Sequence, residues 1–270
     1  MSVRYKFLRK TIKIDKMGFF SLNHGIIPAL DVNTLEDATK IIIEVDDVKG
    51  IVGYKVGKIL QTNYILKDVF DATSRATTKP IIFDPQKEGN DVEFTEPNFI
   101  SNYTKAGMNA MIMFPFASPR VQATCIKSCR ENKVLPIGGF RLTQKGWGED
   151  EEVEMADIDP RLGGVFRGYI AKDAEKRALE VYALMEVNHY IGPGNKIDEL
   201  TNMKNMLKDY GVNPNFLMPG IGRQGGDISS AFKAVDDCAG AYGIAGSAIY
   251  KAKNRGEAAE RLCEEALKFE

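Results

Sequence analysis

The chain is poor in the residues that most often announce a metal or redox centre. Its 270 residues include two histidines and four cysteines. Cys125, Cys129, Cys238 and Cys263 fit no zinc spacing, and His24 and His189 have no nucleophile motif beside them. A Cys/His metal site, a disulfide framework and triad hydrolysis are therefore not expected. Cys125 and Cys129, four apart in a helical pattern, read as small apolar residues on one buried face. A surplus of either charge is missing too: 36 Lys+Arg against 37 Asp+Glu give a net charge of −1. Bulk positive charge cannot then drive nucleic-acid binding, and no nucleic-acid partner is expected. The longest nearly unbroken apolar run, Ala110 to Ala117, is far short of the roughly 20 residues a membrane-spanning helix needs, so no membrane partner is expected either. The N-terminus is basic (Arg4, Lys6, Arg9, Lys10, Lys13, Lys16) but has no apolar segment leading to a small-residue cleavage site. With 44% hydrophobic and 27% charged residues, the chain reads as a soluble, cytoplasmic, globular protein.

What the sequence does have is rhythm. Short β-branched or apolar runs occur at Gly25–Val32, Gly50–Gly57, Pro80–Asp84, Ala110–Phe116, Val134–Phe140, Val187–Gly192, Phe216–Ile221 and Tyr242–Gly246. Segments of 3.6-residue period separate them, such as the stripe Leu35, Ala38, Ile41, Ile42 and Val45, and the last helix carries Ala258, Ala259, Leu262, Cys263, Ala266 and Leu267. Thr34 and Asp173 stand where helix N-caps belong. Nearly continuous apolar runs mark strands covered on both faces, as in a parallel sheet. Eight strand–helix units fill most of the chain, so the reading is α/β, a single-domain (β/α)8 TIM barrel over 25–270. A doubly wound sheet would normally show an early G-x-G-x-x-G turn, and none follows the first strand. Residues 1–24 read as an N-terminal cap segment. The connection from Arg141 to Lys172 is too long for a plain barrel loop, so it reads as an acidic insertion after strand five, either solvated or folded over the site as a flap.

Active sites of such barrels lie at the C-terminal ends of the strands. There the sequence places Asp31, Lys55, Asp84 and Lys87, charges that are expensive to bury unless they neutralise one another. Strand seven runs into Pro219-Gly220-Ile221-Gly222-Arg223-Gln224-Gly225-Gly226-Asp227, and strand eight ends in Ala245-Gly246-Ser247. Glycines let backbone amides approach an anion, and the loops after strands seven and eight are the customary phosphate site of the fold. The residues alone thus predict a phosphorylated small molecule, gripped at one end by these loops and acted on by a Lys/Asp cluster at the other.

Ala29-Leu30-Asp31-Val32, Tyr54-Lys55-Val56-Gly57, the Asp84…Lys87…Asp91 block, Pro219 to Asp227 and Gly246-Ser247-Ala248-Ile249-Tyr250 follow in this order. In this the chain resembles the orotidine 5′-phosphate decarboxylases, over about residues 25 to 270. The resemblance implies cofactor-free decarboxylation of orotidine 5′-phosphate to UMP in pyrimidine biosynthesis, by a homodimer whose active sites are shared between subunits. It assigns Asp31 and Lys55 to the ribose and the charged network, Asp84 to the face of the substrate carboxylate, and Lys87 to protonation of C6. Asp91 would come from the partner subunit, with Thr95 near the ribose. Thr143 would contact the pyrimidine, and Gln224, with its neighbours Pro219 and Gly225, and Gly246 would hold the phosphate.

Two departures stand out. The usual Asp-x-Lys-x-x-Asp block is two residues longer here, Asp84-Pro-Gln-Lys87-Glu-Gly-Asn-Asp91, similar to some archaeal-type members; strict alternation would point Gln86 inward, so Lys87 needs a bulge. Ser247 replaces the arginine that usually binds the phosphate, a loss of about 1.5 to 3 kcal/mol that Arg223 could offset. Two other readings stay open: a non-catalytic phosphate- or nucleotide-binding barrel, and a magnesium-dependent sugar-phosphate decarboxylase or aldolase of the same suprafamily. The latter typically carries a glutamate metal ligand at the end of strand two, where this chain has Lys55, which cannot ligate Mg²⁺.

Overall fold

A computed structural model describes residues 18–85, 88–142, 146–221 and 226–270. The strands are β1 (His24–Pro28), β2 (Tyr54–Val56), β3 (Ile81–Phe83), β4 (Ala110–Met113), β5 (Leu135–Gly138), β6 (Glu152–Glu154), β7 (Val165–Arg167), β8 (His189–Ile191), β9 (Asn215–Met218) and β10 (Gly240–Ala245). Around them run the helices α1 (Leu35–Val45), α2 (Lys58–Asn63), α3 (Leu66–Ala76), α4 (Glu96–Ala106), α5 (Pro119–Glu131), α6 (Ala174–Leu184), α7 (Ile197–Asp209), α8 (Ile228–Ala234), α9 (Ser247–Tyr250) and α10 (Arg255–Ala266). Eight strands form one parallel sheet in the order β1-β10-β9-β8-β5-β4-β3-β2. Isolated parallel bridges Ile26–Ile51 and Ala29–Lys55 bring its ends together, and Leu30 N–H donates to the Lys55 carbonyl at 2.9 Å. Each of the eight apolar runs overlaps one strand of this (β/α)8 barrel, with β1, β9 and β10 beginning one or two residues before their runs. Among the described residues no helix is long and apolar enough to cross a membrane.

Alternation along the strands divides the core in two. Ile26, Leu30, Tyr54, Val56, Phe83 and Met111 pack outward against the helices, whose buried stripes include Ala38, Ile41, Ile42 and Val45 of α1. Ile27, Ala29, Val52, Ile82, Ala110, Ile112 and Ile244 fill the interior. Lys55 and Asp84 stand at inward positions of this alternation, directly above interior aliphatics. Phe20 enters the same interior cluster from the strands' N-terminal end, 4.4 Å from the Tyr242 ring centroid.

Local signals differ in how they play out. The Thr34 hydroxyl caps α1 by accepting the Asp37 amide at 3.0 Å. Asp173 occupies the N-cap of α6 but makes no capping bond; its carboxylate accepts from Arg177 instead, since its backbone is already helical (φ −92°, ψ −1°). Cys125 and Cys129 are both buried on α5. Inside the long connection, β6 and β7 form an antiparallel hairpin that the acidic composition concealed, with Val153 opposite Phe166 and Glu152 opposite Arg167.

His189 lies beneath this barrel, 7% exposed, its ring 6.0 Å from Phe20 and 6.4 Å from Phe19. Burial pushes its pKa down from 6.5 to about 4. The folded protein therefore binds fewer protons here than the unfolded chain, so stability present above the unfolded value is lost as pH falls from 6.5 toward 4. Between pH 7 and pH 5 this one group should remove about 2 kcal/mol of stability. Urea denaturation at the two pH values should show a clearly smaller drop for His189→Phe than for the wild type; equal drops would exclude His189 as the source.

Candidate active site

Lys55 is the one charged residue of β2, and alternation turns it inward, where it is 7% exposed. Its ammonium is held by carboxylates from two neighbouring strand ends: Nζ lies 3.2 Å from Asp84 Oδ2 and 3.4 Å from Asp31 Oδ1. Burial alone would lower the lysine's pKa, but the two carboxylates outweigh it and hold the group above its ordinary value. Lys55 is thus a permanent cation near neutral pH. Gly57 makes room for the arrangement. A β-carbon there would stand 2.7 Å from Asp31 Oδ1 and 2.8 Å from Lys55 Nζ, closer than real side chains come.

These groups form one wall of a cavity of about 480 Å³ at the strands' C-terminal ends. Ile112, Phe114, Arg141, Leu142 and Ile191 make an apolar side interrupted by one guanidinium, and Pro219, Gly220, Gly246, Ser247 and Tyr250 contribute the lining that follows β9 and β10. Of the residues the sequence singled out, Asp31, Lys55, Asp84, Pro219, Gly246 and Ser247 therefore share one cavity. Lys87, Thr143, Arg223, Gln224 and Gly225 lie outside the described residues.

Asp91 and Thr95 are not brought to that cavity within the chain. They line a second, shallower cleft with Glu88, Asn90, Glu96, Phe99 and Tyr103 at the start of α4. There Asp91 is exposed, its amide donating to Glu96 Oε1 at 3.1 Å, and the Thr95 hydroxyl donates to the Val92 carbonyl at 2.8 Å. Three cavity features escaped the sequence reading. Tyr250 sat unused inside a quoted motif, and Gly57 likewise. Arg141 was taken only as the start of the insertion, although it is the first charge after β5 and the strand-end rule that found Asp84 could have found it. Among the described residues no three His, Cys, Asp or Glu side chains gather as metal ligands would.

No family model matches the chain. It is 32% identical over 99 residues to the orotidine 5′-phosphate decarboxylase of Thermoplasma acidophilum, a match spanning 37% of the chain and 42% of that protein's length. To the enzyme of that name from Methanococcoides burtonii it is 26% identical over 241 residues, 89% of the chain and 96% of the relative. Its fold superposes on the crystal structure of orotidine 5′-phosphate decarboxylase from Pyrococcus horikoshii with a TM-score of 0.65 and 26% identity, covering 90% of the chain and 99% of that structure. The chain is thus similar to orotidine 5′-phosphate decarboxylases both in sequence along almost the whole barrel and in fold.

Proposed function

We propose that the chain is a cofactor-free orotidine 5′-phosphate decarboxylase, a carboxy-lyase releasing UMP and CO₂, and that it works in the cytoplasm as a homodimer. The observation that carries this reading is the Lys55 ammonium fixed between Asp31 and Asp84 in a cavity that Gly246 and Ser247 also line. The same inward lysine opposes a magnesium-dependent mechanism, because a cation held between both nearby carboxylates occupies the place a metal ion would take.

The chemistry asks for little beyond charge placement. Loss of CO₂ from C6 leaves a carbanion with little resonance help, so positive charge must already be in position when it forms. Lys55 supplies a fixed positive potential, and Lys87 would deliver the proton to C6. Asp84 would face the departing carboxylate: two like charges about 4 Å apart repel by roughly 4 kcal/mol at an effective dielectric near 20, strain that vanishes as neutral CO₂ leaves. Asp31 would hold the ribose. The Gly246 amide, the Ser247 hydroxyl and the residues Arg223, Gln224 and Gly225 would grip the phosphate, fixing the reacting carbon from a distance. Asp91 and Thr95, on an outward cleft of their own chain, suit a role in the partner subunit's cavity.

Adding orotidine 5′-phosphate should bleach the orotate chromophore at a rate that EDTA leaves unchanged and that Lys87→Ala lowers by at least about 10³-fold. A protein that binds UMP but never turns over is a non-catalytic barrel, and activity confined to sugar phosphates plus Mg²⁺ assigns the sibling chemistry. Gly57→Ala should preserve the circular dichroism spectrum yet cut kcat/KM by about 10² or more, because its methyl group displaces Lys55 or Asp31. Arg223→Ala should raise KM by about tenfold, the value of one charge-assisted contact; an unchanged KM means that Ser247 has not been compensated from that position.

A further inference from the structure

Arg141 meets more partners than a cavity-lining residue needs. Its guanidinium Nη1 lies 3.1 Å from Glu151 Oε1 in the insertion, and its Nε lies 3.6 Å from Glu175 Oε2 on α6 and 3.7 Å from Glu199 Oε2 on α7. Its central carbon stands 5.2 Å from the ring centroid of Trp147. Glu151 works in two directions at once. One of its oxygens takes Arg141, while the other accepts the amides of Gly146 and Trp147 at 3.1 and 3.3 Å. Trp147 in turn packs edge-on against Phe140, at 5.4 Å, beside the end of β5.

We propose that Arg141, itself part of the cavity lining, is a positioning residue whose planar guanidinium pins the 146–170 insertion to α6 and α7, and that this joint fixes the Arg141–Leu142 side of the cavity and so how tightly the ligand is held. The geometry demands a fork rather than a point charge, since three carboxylates approach from three elements and an aromatic face closes one side. Glu199 Oε2 is buried with no hydrogen-bond partner among the described residues; Lys196 holds the other oxygen at 3.1 Å, and the guanidinium at 3.7 Å is the cation on the Oε2 side. Burial pushes the Glu175 carboxyl up, against the pull of Arg141, which marks the same corner as largely shielded from water. The acidic insertion is thereby tied to the barrel at its root, even though Ile158, Val165 and Tyr169 farther along it are exposed.

Trp147 is the chain's single tryptophan, so it reports on this joint directly. Two variants separate the contributions: Glu151→Gln cuts only the insertion's side and leaves Glu175 and Glu199 beside the guanidinium, and Arg141→Lys keeps the charge but loses the fork. In the full chain both should increase acrylamide quenching of Trp147 and weaken UMP binding by at least about tenfold by titration, with the KM for orotidine 5′-phosphate rising by more than kcat falls. The choice of UMP rests on the decarboxylase reading, whereas the quenching does not. Greater quenching with unchanged UMP affinity overturns the positioning role, and weaker UMP binding with unchanged quenching overturns the pinning. If the wild type itself binds no UMP, the decarboxylase reading fails, and quenching alone then upholds or overturns the joint.

Discussion

Placing an ammonium inside a barrel of aliphatic side chains is unfavourable unless opposite charge goes in with it. Lys55 meets this condition with two carboxylates, and much of the surrounding structure follows. β1 and β3 must flank β2 so that Asp31 and Asp84 reach one nitrogen, which the closing bridges at Ala29–Lys55 and the β2–β3 ladder secure. Residue 57 must have no side chain, because Asp31 and Lys55 converge where its β-carbon would stand. The interior beneath must stay apolar, since the strength of this network depends on exclusion of water.

A second constraint is the separation of the two clefts. Asp91 and Thr95 follow Asp84 by only a few residues, yet they face outward, held by Glu96 and Val92 in local turns. One short stretch of chain thus starts inside the barrel and ends on its flank. That is hard to reconcile with a single-chain site using both ends, and natural if a second copy presents its flank to the first copy's cavity.

The architecture was legible because a barrel writes its pattern redundantly. Each apolar run, from Gly25–Val32 to Tyr242–Gly246, needed only to be hydrophobic and of the right length. Site residues embedded in those runs, Lys55 and Asp84 above all, showed by contrast with their neighbours. The hairpin was not legible, because Glu152-Val153-Glu154 is too short an alternation to stand out in an acidic stretch, and pairing with Val165–Arg167 is a non-local choice. Gly57 was invisible for another reason: its role is the space that a missing side chain leaves for atoms from residues 31 and 55. Arg141 was hidden by its function as a junction, since its partners at 151, 175 and 199 have no regular spacing. The Asp173 cap had the right residue type at the right place, but its charge found Arg177 first.

Phe20 has a consequence for traffic through the molecule. With that ring packed among Tyr242, Val52 and the interior aliphatics, the barrel is filled at its base. The cavity lies at the other end, where the strands finish. Among the described residues, whatever enters and whatever it becomes therefore pass at the strands' C-terminal ends, so arrival and departure share one face of the barrel.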